Sequence, residues 1–323
     1  MKAIVRDTYG SPEVLELREI AMPKIADEEV LVHVHAAGVG RDVWHIMTGL
    51  PYPIRLAGYG FRAPKNPVIG SDMAGVVEAL GKNVTRFQPG DEVFGIGKGS
   101  YAEYVCARED KLAPKPTNLT FEQAAVVAIM GSTALQALRD HGKVRPGQEL
   151  LIIGASGGVG TYAVQIAKAF GANVTGVCST TKVEMVRSIG ADHVIDYTRE
   201  DFAEGGQRYE LILDIGGNSS LSRLRRALAS RGTLVLVGGE GGGRWLGGLD
   251  RSLRAMMLSP FVGQKLGTFV NKENHEDMLV LKELIESGKV TPVIDRTYPL
   301  SEVPEAIRYL EEGHARGKVV ISV

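Results

Sequence analysis

Cysteine is nearly absent: two residues, Cys106 and Cys178, in a chain of 323. Two thiols cannot build a disulfide framework, and they are too few for a cysteine-built zinc site. Charge of one sign is not in excess either. Lysine and arginine number 37 and aspartate and glutamate 38, for a formal net charge of −1. No cationic surplus exists to neutralise a phosphate backbone, which argues against nucleic acid as the main partner. Long apolar runs are missing too. Residues 124–130 and 150–153 fall far short of the roughly 18 residues of a spanning helix, so no membrane span is expected. The N-terminus carries Lys2, Arg6 and Asp7 where a signal peptide has its apolar core. A cytoplasmic location is the expectation. What is plentiful is glycine, 40 residues, above the typical share of about 7%.

Residues 1–115 read as β-rich. Segments 2–6, 14–20 and 29–36 alternate or cluster β-branched residues, with Gly10, Ser11, Pro12 and Pro23 as turn residues. Segments 76–80 and 92–96 continue the pattern around a turn at Gln88-Pro89-Gly90-Asp91. Residues 49–67 hold Pro51, Pro53, Pro64 and Pro67 and are expected to form a long irregular loop, of a length that is usually functional or disordered. From about residue 117 the pattern changes. Thr120 and Gln123 form a capping box before an apolar helix over 121–130, and a second helix follows over 132–141. Strands then alternate with helices: strands at 150–153, 173–178, 193–196, 211–215 and 233–237, helices at 161–170, 182–189 and 220–230. From about Val290 short strands return around one helix at 302–312, with Ser301 capping its start and Gly313 just past its end. The fold class is α/β. A doubly wound parallel sheet over 118–289 is inserted between two pieces, 1–117 and 290–323, of a β-rich domain.

The turn after strand 150–153 is Gly154-Ala155-Ser156-Gly157-Gly158-Val159-Gly160. Its spacing is A-x-G-x-x-G, with Ala155, Gly157 and Gly160 in the three positions. The second lets the backbone approach a pyrophosphate, the third lets the helix pack close to the strand, and the helix N-terminus supplies free N–H groups. Strand, turn, helix and next strand all stand where a dinucleotide site needs them. At the end of that next strand an NAD site usually carries Asp or Glu. This chain has Cys178-Ser179-Thr180-Thr181-Lys182, with hydroxyls and a cation to receive a 2′-phosphate, which favours NADP. The bland alternative leaves Ser179 as a helix cap and Lys182 solvated.

These features sit in a wider pattern: the opening Met1-Lys2-Ala3-Ile4-Val5 with Tyr9-Gly10 and Pro12-Glu13-Val14-Leu15, then Gln88-Pro89-Gly90-Asp91-Glu92-Val93. To these add Gly157-Gly158-Val159-Gly160 with Ala163, Gln165, Ala167 and Lys168, and the closing Gly288-Lys289-Val290 and Gly317-Lys318-Val319-Val320. Over its whole length the chain resembles the medium-chain dehydrogenase/reductases, specifically their zinc-free quinone oxidoreductase, zeta-crystallin-like branch. The resemblance implies a Rossmann NADP-binding domain plus a GroES-like catalytic domain. Ser156, Gly157, Gly158 and Val159 of the turn and the Ser179 hydroxyl are cofactor candidates from the residues themselves, and the resemblance assigns Lys182 and Tyr197 to the NADP 2′-phosphate. Thr133, the segment Leu236, Val237 and Gly238, and the segment Thr268, Phe269 and Val270 match residues at the nicotinamide end. Arg41 matches a basic residue that can contact the pyrophosphate, a surface salt bridge with Asp42 being the alternative.

Zinc-dependent relatives, read onto this chain, would want ligands at Gly40, Ser71 and near Ile129, and none of these is one. No metal is expected. His33 and His35 alternate on one strand and read as a half-buried structural pair or a solvent-facing pair. His45 and Tyr52 are the candidate catalytic residues, His45 because it falls beside the first ligand position, Tyr52 as an aromatic in loop 49–67 together with Tyr59 and Phe61. The relatives usually carry asparagine at Gly40, so a polar contact is missing there. The glycine-rich stretch 238–248, with Trp245, is expected to be mobile, either closing over the nicotinamide or serving as a flexible surface connection.

The expected function is metal-free, NADPH-dependent transfer of hydride to a quinone or α,β-unsaturated carbonyl, whose conjugation spreads the accepted charge. Alternatives are an NADP-dependent alcohol or aldehyde dehydrogenase-like enzyme, or a low-turnover NADPH-binding protein of crystallin-like or RNA-binding type. A homodimer through the Rossmann domain is expected from the apolar segment 261–270.

Overall fold

The structure, a computed structural model, describes residues 1–239 and 243–323. It divides into two units: residues 1–132, 272–287 and 292–323, and residues 133–271 with 288–291. This differs from the expected cut, because 118–132 and 272–287 group with the β-rich unit. Packing explains the difference. Thr117 donates to Glu286 through its N–H and its hydroxyl at 2.9 and 3.0 Å, Asn118 Nδ2 donates to the Ile285 carbonyl at 3.0 Å, and Leu281 lies against Gly131.

The first unit opens with β1 (Lys2–Val5) paired to β2 (Glu16–Glu19), where one longer strand over 14–20 was expected; a 3₁₀ turn at Pro12–Val14 takes up the beginning. Its spine is β3 (Glu29–Val39), in which Val30, Val32 and Val34 alternate into the core. There follow α1 (Arg41–Thr48), β4 (Asp72–Leu80), β5 (Glu92–Ile96), β6 (Tyr104–Arg108) and β7 (Leu112–Pro114). Loop 49–67 is less irregular than expected: Arg55–Tyr59 forms one π turn, held by Arg55 Nε donating to the Gly49 carbonyl at 2.9 Å.

The Thr120–Gln123 capping box is formed, but the two expected helices are cut differently. α2 (Phe121–Ala124) stops after one turn and α3 (Ala128–Gln136) starts afresh, running into a π turn at Ala137–Gly142. The break sits where the Ile129 N–H donates to Asp72 Oδ1 at 2.9 Å.

The second unit is a parallel sheet of β8 (Glu149–Ile153), β9 (Asn173–Cys178), β10 (His193–Asp196), β11 (Tyr209–Asp214), β12 (Leu228–Leu236) and β13 (Lys265–Thr268). Its order is β10-β9-β8-β11-β12-β13. The order reverses between β8 and β11, which makes their C-terminal ends the topological switch point. The helices are α4 (Gly158–Ala169), α5 (Val183–Ser188), α6 (Leu221–Ala227), α7 (Gly243–Leu246) and α8 (Leu249–Leu258). α6 ends three residues before expected, because Leu228 already pairs with Tyr209 as strand. Within the expected mobile stretch 238–248, Gly243–Leu246 is helical; residues 240–242 lie outside the described residues.

The chain then returns to the first unit with α9 (His275–Glu286), β14 (Ile294–Pro299), α10 (Val303–Glu311) and β15 (Lys318–Ser322). The main sheet there runs β14-β15-β3-β4-β5-β7, with β6 also on β3. Ser301 does not cap: it lies inside a 3₁₀ turn, Leu300–Glu302, that buries Leu300 and precedes α10. Gly313 stands past the helix end with φ 73°, the left-handed conformation glycine adopts at little cost.

Candidate active site

β8 delivers the chain to Gly154, whose N–H and that of Ala155 both donate to the Val177 carbonyl at 3.1 Å. The turn is thereby fastened to the neighbouring strand before α4 begins at Gly158. A Cβ on Gly160 would sit 2.1 Å from the Gly154 carbonyl oxygen, so only glycine allows this crossing. At Gly157 a Cβ would meet nothing nearer than 3.6 Å, which leaves open space beside the turn. The free N–H groups of a helix start there, beside a cradle that fits a dinucleotide pyrophosphate.

A cavity of about 360 Å³ opens at this switch point. It gathers Ser156, Ser179, Lys182 and Tyr197, four of the sequence candidates, with Asn218 and Arg223. Tyr197 is placed by its N–H, which donates to the Cys178 carbonyl at 3.1 Å. Ser179 precedes a 3₁₀ turn and makes no side-chain cap bond. Cys178 is no nucleophile: burial pushes its thiol up to about 11. The nearby Asp196 carboxylate takes the Thr180 hydroxyl at 2.5 Å and the Thr198 hydroxyl at 2.7 Å. These hydrogen bonds, the Thr180 one foremost, hold it below the usual carboxylate range.

The sequence reading missed Arg223 and Arg251. Arg223 stands in the cavity wall, bound to Asp201 at 2.9 Å and over the Phe202 ring. Arg251 of α8 meets the buried Asp214 at 2.5 Å and donates to the carbonyls of Ser219 and Gly238, both at 2.9 Å. Burial raises the Asp214 carboxyl and Arg251 opposes this. The pair fastens the loops after β11 and β12. No single-sequence signal marks an arginine whose partner is 37 residues away. Leu236, Val237, Gly238, Thr268 and Phe269 lie at the ends of the adjacent β12 and β13, joined by Thr268 Oγ1 donating to the Leu236 carbonyl at 3.0 Å. Phe269 stacks on His141 with ring centroids 4.4 Å apart, and Val270 is 85% exposed. None of these residues, nor Gly157, Gly158, Val159 or Thr133, lines the 360 Å³ cavity.

The remaining candidates lie in the first unit. Arg41 sits 5.5 Å from the Trp44 ring centroid and Tyr52 under the Arg55 guanidinium at 5.0 Å. His45 Nδ1 is 2.7 Å from the Leu50 carbonyl. A carbonyl only accepts, so that nitrogen carries the hydrogen and donates it. His33 stacks on Tyr104 and His35 on Phe121, a structural pairing.

The place where a zinc would sit is filled by other chemistry. A Cβ on Gly40 would meet Asp42 Oδ1 at 2.3 Å and the Lys318 Nζ at 3.1 Å. Lys318 is 3% exposed, 3.7 Å from the equally buried Asp72. Among the described residues no three His, Cys, Asp or Glu come together as a donor set. A buried ammonium beside Gly40, with Ser71 and Ile129 at the other two positions, does not fit a zinc ion.

Residues 26–117 match the family described as "Alcohol dehydrogenase GroES-like domain" and residues 189–321 the one described as "Zinc-binding dehydrogenase". The chain is 36% identical to "NAD(P)H oxidoreductase RTN4IP1, mitochondrial" of Mus musculus, over 100% of this chain and 89% of that protein. It is 34% identical to "NADPH-dependent alkenal/one oxidoreductase, chloroplastic" of Arabidopsis thaliana, over 99% and 79%. The solved quinone oxidoreductase of Coxiella burnetii superposes with a TM-score of 0.88 at 30% identity, over 100% of this chain and 99% of that one.

Proposed function

The chain belongs to the medium-chain dehydrogenase/reductases, in the quinone oxidoreductase branch, and on that premise we propose that it is an NADPH-dependent reductase of quinones or α,β-unsaturated carbonyls that works without a metal. The observation that carries this reading is the cavity at the switch point. Ser179, Lys182 and Tyr197 stand together there, and β9 ends on Cys178 where a carboxylate would repel a 2′-phosphate. When bound, reduced nicotinamide supplies the hydride. The chain's own part is to hold it: the Gly154–Gly160 turn offers N–H groups to the pyrophosphate, and Lys182 and Tyr197 take the 2′-phosphate. With a buried ammonium at Gly40 in place of a Lewis acid, an acceptor that delocalises the incoming charge is favoured over a simple ketone. Solvent is the proton source in this reading, since a reduced quinone is acidic enough to need no assisted protonation.

A panel of quinones, enones, ketones and alcohols, run with NADPH and with NADH, tests it. NADPH-dependent turnover of conjugated acceptors, unaffected by chelators, is expected. Stoichiometric zinc with chelator-sensitive alcohol oxidation overturns it. We further propose a homodimer through the nucleotide unit. Phe261 and Val270, each 85% exposed, flank the edge strand β13, and α8 adds Leu253 and Met257 to the exposed apolar surface. Light scattering that finds a fully active monomer refutes it.

A further inference from the structure

We propose that a second cavity of the nucleotide unit, at the N-terminal edge of its sheet, binds a small polyphosphate anion. The cavity measures about 410 Å³ and lies where β8, β11, β12 and β13 begin, at the opposite ends of the strands from the switch point. Lys143, Arg145, Arg231 and Lys265 line it, with Glu210 as the one acid. Among the described residues none of the four cations enters an ion pair. Glu210 is already engaged, its carboxylate accepting the Glu149 N–H at 3.2 Å. The surplus of positive charge is local, on a chain whose net charge is −1.

Two irregularities of the backbone bring cations to this place. Lys143 has φ 49°, and among the described residues it is the one non-glycine residue with positive φ. That conformation costs an L-residue roughly 1–2 kcal/mol, and glycine or asparagine is its usual occupant. The second irregularity is a bulge. Pairing passes from Tyr209↔Leu228 to Leu211↔Thr233, so the residues between loop out of β12 and carry Arg231 into the cavity wall. Bulges of this kind re-aim side chains beside functional sites. Offsetting a helix C-terminal dipole accounts for Lys143, which follows the turn Ala137–Gly142. It does not account for Lys265 at the start of a strand or for Arg231 in the bulge.

The ligand chemistry follows from the donors. Two guanidinium forks and two ammonium groups suit adjacent phosphate groups. Ser230 and Thr233 add hydroxyls, and the cavity is large enough for a nucleoside polyphosphate or a sugar bisphosphate. Isothermal titration of the full chain with inorganic pyrophosphate tests the site. Binding is expected, weakening as salt is raised and by about tenfold in each of Lys143→Gly, Arg231→Ala and Lys265→Ala, one charge-assisted hydrogen bond apiece. Lys143→Gly suits the positive φ, so its folding is not at risk. Binding should persist in Lys182→Ala, which touches only the cofactor cavity. Tighter binding of ATP than of pyrophosphate assigns a nucleotide, and tighter binding of a sugar bisphosphate assigns a phosphorylated metabolite; both uphold the site. Binding that Lys182→Ala abolishes, or that the triple variant leaves intact, overturns it, as does no binding at low salt.

Discussion

Each unit holds an ion pair on a fully buried carboxylate, and the two are built in opposite ways. In the nucleotide unit Arg251 meets Asp214 at 2.5 Å, and the guanidinium and carboxylate between them also engage Ser219, Gly238 and Gly217. In the β-rich unit Lys318 stands 3.7 Å from Asp72, and among the described residues its Nζ has no hydrogen-bond partner. A planar fork fixes several loops at once, whereas a point charge holds only what lies next to it. A satisfied buried pair is a clamp. An unsatisfied one is a standing cost, held here beside Gly40.

The largest effect should come from breaking the clamp. Arg251→Met leaves the Asp214 carboxylate buried and alone, and should cost about 3–5 kcal/mol in urea unfolding. It should also weaken cofactor binding, because the loops after β11 and β12 lose their tie. A loss under 1 kcal/mol would mean that the loops hold themselves.

The Asp72 pair should show itself through pH. Burial, opposed by Lys318, pushes its carboxyl from 3.8 up to about 7. The folded state therefore holds this proton more tightly than the unfolded chain. Its stabilising contribution is fully present below pH 3.8, shrinks as pH rises, and is gone above about 7. Asp72→Asn keeps an acceptor for the Ile129 N–H and should flatten the fall in stability between those limits. Equal slopes for wild type and variant in unfolding at stepped pH would contradict the assignment.

This contrast also separates what was legible in the sequence from what was not. The Gly154–Gly160 turn and the alternation of strands and helices in the nucleotide unit follow from local spacing, and the resemblance added Lys182 and Tyr197. Arg251 with Asp214, Lys318 with Asp72, and the split between α2 and α3 were illegible. Each depends on a contact between chain segments far apart, and a lone arginine or lysine carries no periodicity that announces a partner. The domain boundary failed for the same reason, since Glu286 reaches back to Thr117 across 169 residues.

In the open cavity, charge should affect binding and leave stability alone. Lys182→Ala should raise KM for NADPH by about tenfold, or 1.4 kcal/mol, with NADH nearly unchanged and the melting temperature held. Equal losses for both cofactors would detach Lys182 from the 2′-phosphate and leave the NADPH preference without its main support.

The smallest effects compare two hydroxyls of the β-rich unit that look alike in sequence. Thr120 and Ser301 both precede helices. Thr120 accepts the Gln123 N–H at 3.3 Å while Gln123 returns a bond to the Thr120 N–H at 3.1 Å. Ser301 caps nothing, because the turn Leu300–Glu302 has displaced the helix start by one residue. Thr120→Ala should therefore cost about 1 kcal/mol, and Ser301→Ala should stay within about 0.5 kcal/mol of wild type. If thermal unfolding gave both the same cost, a serine or threonine before a helix would stabilise by its intrinsic preference for extended backbone, and the capping bond itself would add nothing here.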